Sequence, residues 1–386
     1  MYKDARHAFG KMMPEGASTL PGPYYHDEAI HTRELDIMFS RMWIGAGRVD
    51  DVPEPGNFVT RTIGSDNIVI VRDASGEIGA FHNICRHRGT RICDEASGAL
   101  KGSIQCPYHA WTYSLDGKLI GAPHMNEVKD FDKSRYGLHR VGCEVWDGHV
   151  FINLSNERQT LLDQIHGLPE RVARFGAGEL RRGARVTYDV KANWKLIVQN
   201  YGECYHCPLI HPDLNRVTHY LSGANDVVGE NYNGGYQIIG DEYRTLTVEG
   251  KPVRSHFKGL RDEDHNRVYY YIVFPNLLLS LHPDYMMTHT LWPKGPGESH
   301  VICEWHFDPA EMAKPGFTGK DAVDFWDMTN RQDWRACELS QLGVVSSAYV
   351  PGPYSLQEDF LHNFDTFVKR KLDGAPDRPR RVVGEG

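Results

Sequence analysis

Two short stretches of the chain decide the fold of its N-terminal half. Residues 83–93 read NICRHRGTRIC and residues 105–111 read QCPYHAW, so Cys85 and His87 are spaced C-x-H, and Cys106 and His109 are spaced C-x-x-H. Two Cys and two His could bind a tetrahedral zinc ion, but zinc fingers usually pair Cys with Cys and His with His along the chain. One Cys and one His from each loop suit a two-iron cluster better, because two thiolates then bind one iron and two imidazoles the other.

The segments around these loops predict a small all-β domain. Between about residues 43 and 154, β-branched and aromatic runs such as FVTRTI (58–63) and NIVIVRD (67–73) alternate with Gly, Asp and Ser turns. The sequence SLDGK at 114–118 predicts a hairpin turn in which Gly117 supplies a positive φ. We therefore expect each Cys/His pair at the tip of a hairpin.

The rest of the chain mixes strands with helices, which indicates an α+β fold. Apolar spacing predicts helices over residues 26–42, 160–175, 322–342 and 355–372, and runs of β-branched and aromatic residues predict strands between them. The tail from residue 373 onward is rich in Pro, Arg and Gly, so we expect it to be poorly ordered.

A second motif lies in residues 193–214, NWKLIVQNYGECYHCPLIHPDL. His206 and His211 are five residues apart and would not share one face of a continuous helix, but Pro208 between them predicts a bend that turns both rings inward. Two His and one carboxylate form the facial triad of non-haem Fe(II) oxygenases, which leaves coordination positions open for O₂ and substrate. The carboxylate must come from elsewhere in the chain.

Together the two motifs resemble those of the Rieske non-haem iron oxygenases, and the chain is similar to their large (alpha) terminal oxygenase subunit. The resemblance implies a [2Fe–2S] cluster on the four ligands of the first motif. It also implies that residues 1–42 form an N-terminal segment packed on the catalytic domain and that residues 43–155 form an all-β Rieske domain. Residues 156–386 would then form a helix-grip catalytic domain, an antiparallel sheet with long helices.

The resemblance assigns roles to single residues. His206 and His211 would bind the mononuclear iron, and the stretch RQDWRACELSQLG (331–343) makes Asp333 the third ligand. Glu203 matches the acidic residue that bridges electron transfer from the cluster of one subunit to the iron of its neighbour. Three other carboxylates on this and the next predicted helix are alternatives to Asp333: Asp327, Glu338 and Asp359.

A terminal oxygenase of this family uses O₂ and electrons from a separate ferredoxin or flavin reductase, so NAD(P)H acts only indirectly. The resemblance also implies a homotrimer. The segments YGECYHCPLIHP (201–212) and VFPNLLLSLHPDYMMTH (273–289) are similar to the choline, glycine-betaine and carnitine oxygenase branch, which hydroxylates or oxidatively demethylates quaternary ammonium compounds. Two alternatives stay open: an aromatic-ring hydroxylating alpha subunit, with or without a β subunit, and a Rieske electron carrier with a non-catalytic second domain.

We expect an apolar and aromatic substrate pocket. Such a lining suits an aromatic ring, and it equally suits a trimethylammonium group through cation–π contact. The predicted lining residues are Tyr201, Ile239, Phe274, Leu279, Leu281, Tyr285 and Trp334.

The composition excludes several other classes of protein. The 386 residues include 51 acidic and 43 basic side chains, with a net charge of −8 and no long Lys/Arg run, so no nucleic-acid partner is expected. Apolar runs are too short to span a membrane and no secretory signal is evident, which predicts a cytoplasmic protein. Cys204 and Cys207 flank His206 as C-x-x-C, but no βαβ pattern surrounds them and we interpret them as packed thiols.

Overall fold

The computed structural model describes residues 13–155, 159–251 and 253–374, which fold into two compact units. Over these residues, one unit comprises residues 35–161, and the other joins residues 13–34 to residues 162–374. The predicted domain boundaries after residues 42 and 155 stay predictions. The tail that we expect to be poorly ordered lies, from residue 375 onward, outside the described residues.

The first unit is an all-β structure, as its sequence predicts. Seven strands form an antiparallel sheet in the order β1–β10–β9–β4–β3–β2–β5, and β6, β7 and β8 form a small separate sheet. Gly117, in the turn between β7 and β8, has φ +87° as predicted, and a Cβ there would lie 2.3 Å from the Phe81 ring. The strands are β1 (Ile44–Arg48), β2 (Asn57–Ile63), β3 (Asp66–Arg72), β4 (Ile78–His82), β5 (Ser97–Ala99), β6 (Ser103–Gln105), β7 (Thr112–Ser114), β8 (Leu119–Gly121), β9 (Arg140–Trp146) and β10 (His149–Asn153).

The second unit is built on one antiparallel sheet in the order β11–β17–β16–β15–β14–β13–β12. Its strands are β11 (Arg181–Val190), β12 (Ala224–Val228), β13 (Tyr232–Ile238), β14 (Arg267–Val273), β15 (Leu277–Leu281), β16 (Met286–Gly295) and β17 (Glu298–Phe307). The helices of the chain are α1 (Pro23–His26), α2 (Glu28–Glu34), α3 (Leu161–Gln164), α4 (Leu168–Val172), α5 (Trp194–Tyr201), α6 (Cys207–Ile210), α7 (Pro212–Val217), α8 (Pro309–Met312), α9 (Lys320–Val344) and α10 (Asp359–Gly374). The predicted α+β class is confirmed, with α9 and α10 as its long helices.

Two predicted helices are wrong as continuous elements. The segment 26–42 breaks after α1, because the Asp27 side chain accepts hydrogen bonds from the next turn and starts α2, which runs on into a π-helical turn at Leu35–Phe39. The segment 160–175 breaks at Gly167, whose φ of +84° lies in the left-handed region. Apolar spacing alone does not indicate such local breaks.

Every helix among the described residues is too short or too polar to span a bilayer.

A buried ion pair anchors α5, the helix that leads into the second motif. Lys195 Nζ lies 2.5 Å from Glu34 Oε1, and both side chains are almost fully buried. Trp194 Nε1 donates a hydrogen bond of 2.8 Å to the other carboxylate oxygen of Glu34. Burial lowers the pKa of Lys195 and raises that of Glu34, while the attraction between the two charges opposes both changes. The pair therefore ties α2 to α5 inside the second unit.

We expect Lys195→Met to lower the free energy of unfolding of the second unit by about 3–5 kcal/mol, because it leaves the Glu34 carboxylate buried without its cation. Denaturant unfolding followed by tryptophan fluorescence measures the change. The matched control is Lys191→Met, since Lys191 is 67% exposed in its 2.9 Å ion pair with Glu298. That exposed pair should contribute less than about 1 kcal/mol. Equal effects of the two substitutions would contradict the anchoring role.

Candidate metal centres and active site

The two loops of the first motif have nearly the same backbone geometry. The amides of Cys85 and Cys106 each donate to the carbonyl oxygen five residues further on, at 2.8 Å. The carbonyl oxygens of the same two residues accept from the amides of Gly89 at 3.0 Å and Ala110 at 3.1 Å. Gly89 and Ala110 both have positive φ, at +74° and +55°. Cys85 and Cys106 therefore each begin a turn with the same pattern of backbone hydrogen bonds.

The predicted cluster ligands differ in exposure in a consistent way. The Cys85 and Cys106 thiols are buried in the core of this unit, whereas His87 and His109 lie nearer the surface with ring centroids 4.8 Å apart. Cys85 Sγ lies 3.3 Å from the Tyr113 hydroxyl, and burial raises the pKa of this thiol. Two thiolates inside and two imidazoles outside match the donor set of a Rieske [2Fe–2S] cluster, with one iron on each side.

A single zinc ion fits this motif less well. Among the described residues, the group of His, Cys and carboxylate donors whose ligand atoms all lie within 4.8 Å of one another is a different one: His206, His211 and Asp333. A tetrahedral zinc ion, with ligands at about 2.0–2.3 Å, would draw its four donor atoms to within about 4 Å of one another. The wider spacing in the first motif favours two irons.

The structure corrects the predicted shape of the second motif. Helix α5 ends at Tyr201, and the short helix α6 begins only at Cys207, so no continuous helix joins the two histidines. Pro208 lies in the first turn of α6, where its missing N–H costs no hydrogen bond. His206 and His211 instead flank α6 at its two ends. This arrangement turns the two rings toward each other without a bend.

His206, His211 and Asp333 converge although Asp333 comes from a distant helix, α9. Asp333 Oδ1 lies 2.7 Å from His211 Nε2 and 3.4 Å from His206 Nε2. The two imidazole rings are 5.0 Å apart between centroids and nearly perpendicular. Two imidazole nitrogens facing one carboxylate oxygen provide the donor set of a 2-His-1-carboxylate iron site.

The alternative carboxylates are engaged elsewhere. Asp327 accepts a hydrogen bond of 2.7 Å from the Tyr188 hydroxyl, Glu338 accepts one from the Lys191 amide, and Asp359 accepts one from Asn225. They do not belong to the three-donor group.

Two neighbours orient the histidine rings. Glu203 Oε1 lies 2.5 Å from His206 Nδ1, and Gln332 Oε1 lies 2.7 Å from His211 Nδ1. When each Nδ1–H donates to such an oxygen, Nε2 is left as the free lone pair that a metal requires. The sequence did not single out Gln332, and the available signal was its place directly before Asp333.

Electrostatics at this site favour a bound cation. Burial by itself would raise the pKa of Asp333, but hydrogen bonds from His206 and His211 hold it at about 2. Burial lowers the pKa of His206, but the Asp333 and Glu203 carboxylates outweigh it and raise this pKa to about 10. In the metal-free chain a proton on His206 therefore supplies the positive charge that the carboxylates stabilise. A divalent cation would replace that proton.

The three donors lie in the wall of a cavity of about 110 Å³ that is open to solvent. The described residues that line it include six Tyr, Trp and Phe side chains, several amides and hydroxyls, and the two carboxylates Glu203 and Asp333, but no lysine or arginine. The aromatic lining residues are Tyr201, Tyr220, Tyr236, Tyr270, Trp326 and Phe360.

Of the seven predicted pocket residues, the structure places Tyr201 on the cavity wall. The other six lie in the core outside that wall: Ile239, Phe274, Leu279, Leu281, Tyr285 and Trp334. Phe274, for example, packs on Phe364 and Phe367. Tyr285 accepts a hydrogen bond from Trp326, so it lies behind the aromatic wall and not on it.

Tyr270 and Trp326 line the cavity but were not predicted to do so. Tyr270 lies within the run Tyr269–Tyr271 on β14, where alternate side chains point to opposite faces of the sheet. Its hydroxyl is buried without a hydrogen-bond partner. The sequence of three consecutive tyrosines does not indicate which of them faces the cavity.

Two family models match the chain. The Rieske [2Fe-2S] domain matches residues 42–132, and the catalytic domain of ring hydroxylating alpha subunits matches residues 177–374, just over half of the chain. The chain belongs to the Rieske non-haem iron oxygenases. It is therefore a terminal oxygenase component, with a [2Fe–2S] domain and a non-haem iron catalytic domain, and the family predicted from the sequence is confirmed.

Several relatives of this Rieske oxygenase are similar over nearly its whole length. The glycine betaine monooxygenase oxygenase subunit of Chromohalobacter salexigens is 30% identical over 92% of this chain and 86% of its own length. The chloroplastic choline monooxygenase of Arabidopsis thaliana is 29% identical over 94% and 85%. The crystal structure of the quaternary ammonium Rieske monooxygenase CntA with L-carnitine is 25% identical, covers 91% of this chain and 95% of that chain, and has a TM-score of 0.76.

The interpretation of Cys204 and Cys207 as packed thiols is wrong, because the structure joins them in a disulfide. Three residues of separation and a loop backbone bring their Cα atoms to 5.0 Å, within the range that a disulfide requires. The prediction failed because the segment between α5 and α6 is a loop and not a helix.

We expect Gln332→Leu to weaken Fe(II) binding at the mononuclear site about 10- to 100-fold, because His211 Nδ1 loses the acceptor that orients its ring. Gln332→Glu keeps an acceptor oxygen at the same place and should retain tight binding. Anaerobic calorimetric titration of Fe(II) into protein that holds its [2Fe–2S] cluster but lacks mononuclear iron measures both affinities. Equal affinity of Gln332→Leu and the unsubstituted protein would exclude this orienting role.

Proposed function

We propose that this Rieske oxygenase oxidises a methyl group of a quaternary ammonium compound whose remaining part is uncharged. The observation that carries the proposal is the cavity itself, which brings three metal donors and an aromatic wall together without a lysine or arginine among its described lining residues. A carboxylate-bearing substrate would find no lysine or arginine there, whereas the aromatic wall suits a cation.

In this proposal His206, His211 and Asp333 bind the mononuclear iron. Cys85, His87, Cys106 and His109 bind the [2Fe–2S] cluster. When bound, the iron supplies the activation of O₂ next to the substrate. The protein's own part is to hold the imidazoles through Glu203 and Gln332 and to position the substrate against the aromatic wall.

The aromatic wall supports a cationic substrate. The Tyr270 ring is nearly perpendicular to those of Tyr201 and Trp326, with centroids 5.8 and 6.5 Å away. Such a corner offers ring faces from more than one direction to a trimethylammonium group, which binds aromatic faces through cation–π attraction.

The relatives support a quaternary ammonium substrate. Two of them are named for glycine betaine and choline, and the matching crystal structure is of a quaternary ammonium monooxygenase. With two electrons from the reductase and two protons, insertion of one oxygen atom of O₂ into a methyl C–H bond gives a hydroxymethylammonium, and the second oxygen atom leaves as water. The hydroxymethylammonium then releases formaldehyde, a proton and the tertiary amine with two methyl groups. An aromatic-ring hydroxylase with a β subunit is the alternative, and the aromatic wall alone does not discriminate against it.

We infer that Glu203 carries electrons between subunits of a homotrimer. Its carboxylate is hydrogen-bonded to His206 and to the amide of Tyr205, and the Tyr205 and Leu209 side chains that follow it in the chain are 56% and 89% exposed. Tyr108, next to the cluster ligand His109, is also 56% exposed. Exposed apolar groups beside both centres suit contacts between neighbouring copies. A ferredoxin or flavin reductase would supply the electrons. The cytoplasmic location of the protein stays a prediction.

A screen with a surrogate reductase tests the substrate class. We expect coupled O₂ uptake and formaldehyde with choline, and weaker activity with glycine betaine and L-carnitine, because each of those carries a carboxylate. Trp326→Leu should raise the KM for choline about 5- to 30-fold, equivalent to about 1–2 kcal/mol of cation–π attraction. Competitive inhibition by 3,3-dimethylbutanol, the uncharged isostere of choline, should change much less. A diol from an aromatic substrate, without formaldehyde from any ammonium compound, would favour the alternative.

We expect Glu203→Gln to keep about three irons per chain, two in the cluster and one at the mononuclear site. The amide oxygen can still accept from His206 Nδ1, but the negative charge is lost. Coupled turnover should fall more than about tenfold, which corresponds to 1.4 kcal/mol, while reduction of the cluster by the reductase stays unchanged. Glu242→Gln, at an exposed glutamate outside the cavity lining, is the matched control. Normal coupled turnover of Glu203→Gln would exclude the bridging role.

A further inference from the structure

The loop between α5 and α6 contains a disulfide that the proposed chemistry does not use. It joins Cys204 to Cys207, whereas the other six cysteines form no disulfide: Cys85, Cys93, Cys106, Cys143, Cys303 and Cys337. The two half-cystines also line the cavity that holds His206, His211 and Asp333.

The disulfide encloses one of the metal donors. The ring that it closes contains Tyr205 and His206, and Glu203 stands immediately before it. The Glu203 carboxylate accepts hydrogen bonds from the backbone amides of Tyr205 and His206 as well as facing His206 Nδ1. This segment has no helix or strand of its own. The covalent link and the Glu203 hydrogen bonds therefore constrain the backbone that aims the His206 ring.

The two sulfur positions differ in access. Cys204 is partly exposed at the cavity wall, whereas Cys207 is buried at the start of α6. A small thiol that enters the cavity can attack the accessible sulfur of Cys204 and leave Cys207 as the internal thiol that reverses the reaction. Thiol–disulfide exchange depends on this kind of one-sided access.

We propose that Cys204 and Cys207 form a reversible redox pair, and that its oxidation state sets how tightly the neighbouring site binds its metal. Oxidation by hydrogen peroxide, which arises when O₂ is reduced without substrate oxidation, converts the two thiols and one peroxide into the disulfide and two water molecules. Reduction by two molecules of a low-molecular-weight thiol such as glutathione passes through a mixed disulfide on Cys204, returns both protein thiols and releases one molecule of oxidised glutathione. The proposal rests on the proposed metal site.

The direction of the effect follows from the geometry. In the disulfide form the His206 ring is held in a closed loop and facing Asp333, so little ordering remains to be done when a metal binds. In the dithiol form the loop gains freedom, and metal binding must restrict it again. Metal affinity is therefore higher in the disulfide form. Conditions that produce peroxide would retain the metal, and strongly reducing conditions would loosen it.

The first measurement follows the redox pair itself. The full chain, with its [2Fe–2S] cluster but without mononuclear iron, is equilibrated anaerobically in mixtures of reduced and oxidised glutathione and trapped with N-ethylmaleimide. Mass spectrometry of the peptide that contains both cysteines should find two labels at the reducing end, none at the oxidising end, and full reversal. A pair that stays in one state across all mixtures would overturn the proposal.

The second measurement titrates Fe(II) calorimetrically into the two trapped states of the same protein. We expect the disulfide form to bind about tenfold or more tightly than the dithiol form. Cys204→Ser removes the redox pair at its partly exposed member, so its affinity should equal that of the dithiol form and should not respond to glutathione. Cys143→Ser, outside the cavity, should respond as the unsubstituted protein does.

The two measurements separate the redox pair from the metal site. Equal affinity of the two forms overturns the inferred coupling. Failure of both forms to bind Fe(II) at this site, with normal thiol cycling, overturns the proposed metal site and the coupling together. The labelling readout distinguishes these failures because it does not depend on bound metal or on turnover.

Discussion

The catalytic unit depends on a largely buried carboxylate that needs a cation. Asp333 keeps a pKa of about 2 inside the fold because two imidazoles face it, and those imidazoles stay in place because Glu203 and Gln332 hold their outer nitrogens. A charge in this position is unfavourable without compensation. The short helix α6, the end of α5 and the middle of α9 are all arranged around that requirement.

The two metal centres are constructed by different means. In the β unit, backbone hydrogen bonds shape two similar turns, and the ligand side chains follow from the turn geometry. In the α+β unit, the ligands come from loop residues at the ends of one short helix and from the face of a long one. The first kind of centre can be found as a local motif, whereas the second needs the tertiary fold to bring its third ligand in. This difference also governs how well each could be predicted.

The sequence predicted most of the ligand positions and less of their surroundings. Cys85, His87, Cys106 and His109 stand at informative spacing, and the His206–His211 pair limits where the carboxylate can come from. The pocket lining depends on which residues of a strand face inward, and a run such as Tyr269–Tyr271 does not reveal that. The disulfide was missed because helix boundaries between Tyr201 and Cys207 decide whether the two cysteines can meet. Local breaks such as Gly167 likewise depend on backbone angles that apolar periodicity does not encode.

One face of helix α9 contributes both a part of the cavity wall and a metal ligand. Trp326, Thr329 and Asp333 follow one another at spacings of three and four residues, so they share a face and all line the cavity. Seven residues of helix separate the aromatic end from the carboxylate end, a rise of about 10 Å. Because the helix is rigid, it fixes the distance between the aromatic side chain and the metal-binding carboxylate. In the proposed function, the ammonium head must fill the gap between the Trp326 ring and the metal donors so that one of its own methyl carbons reaches the metal.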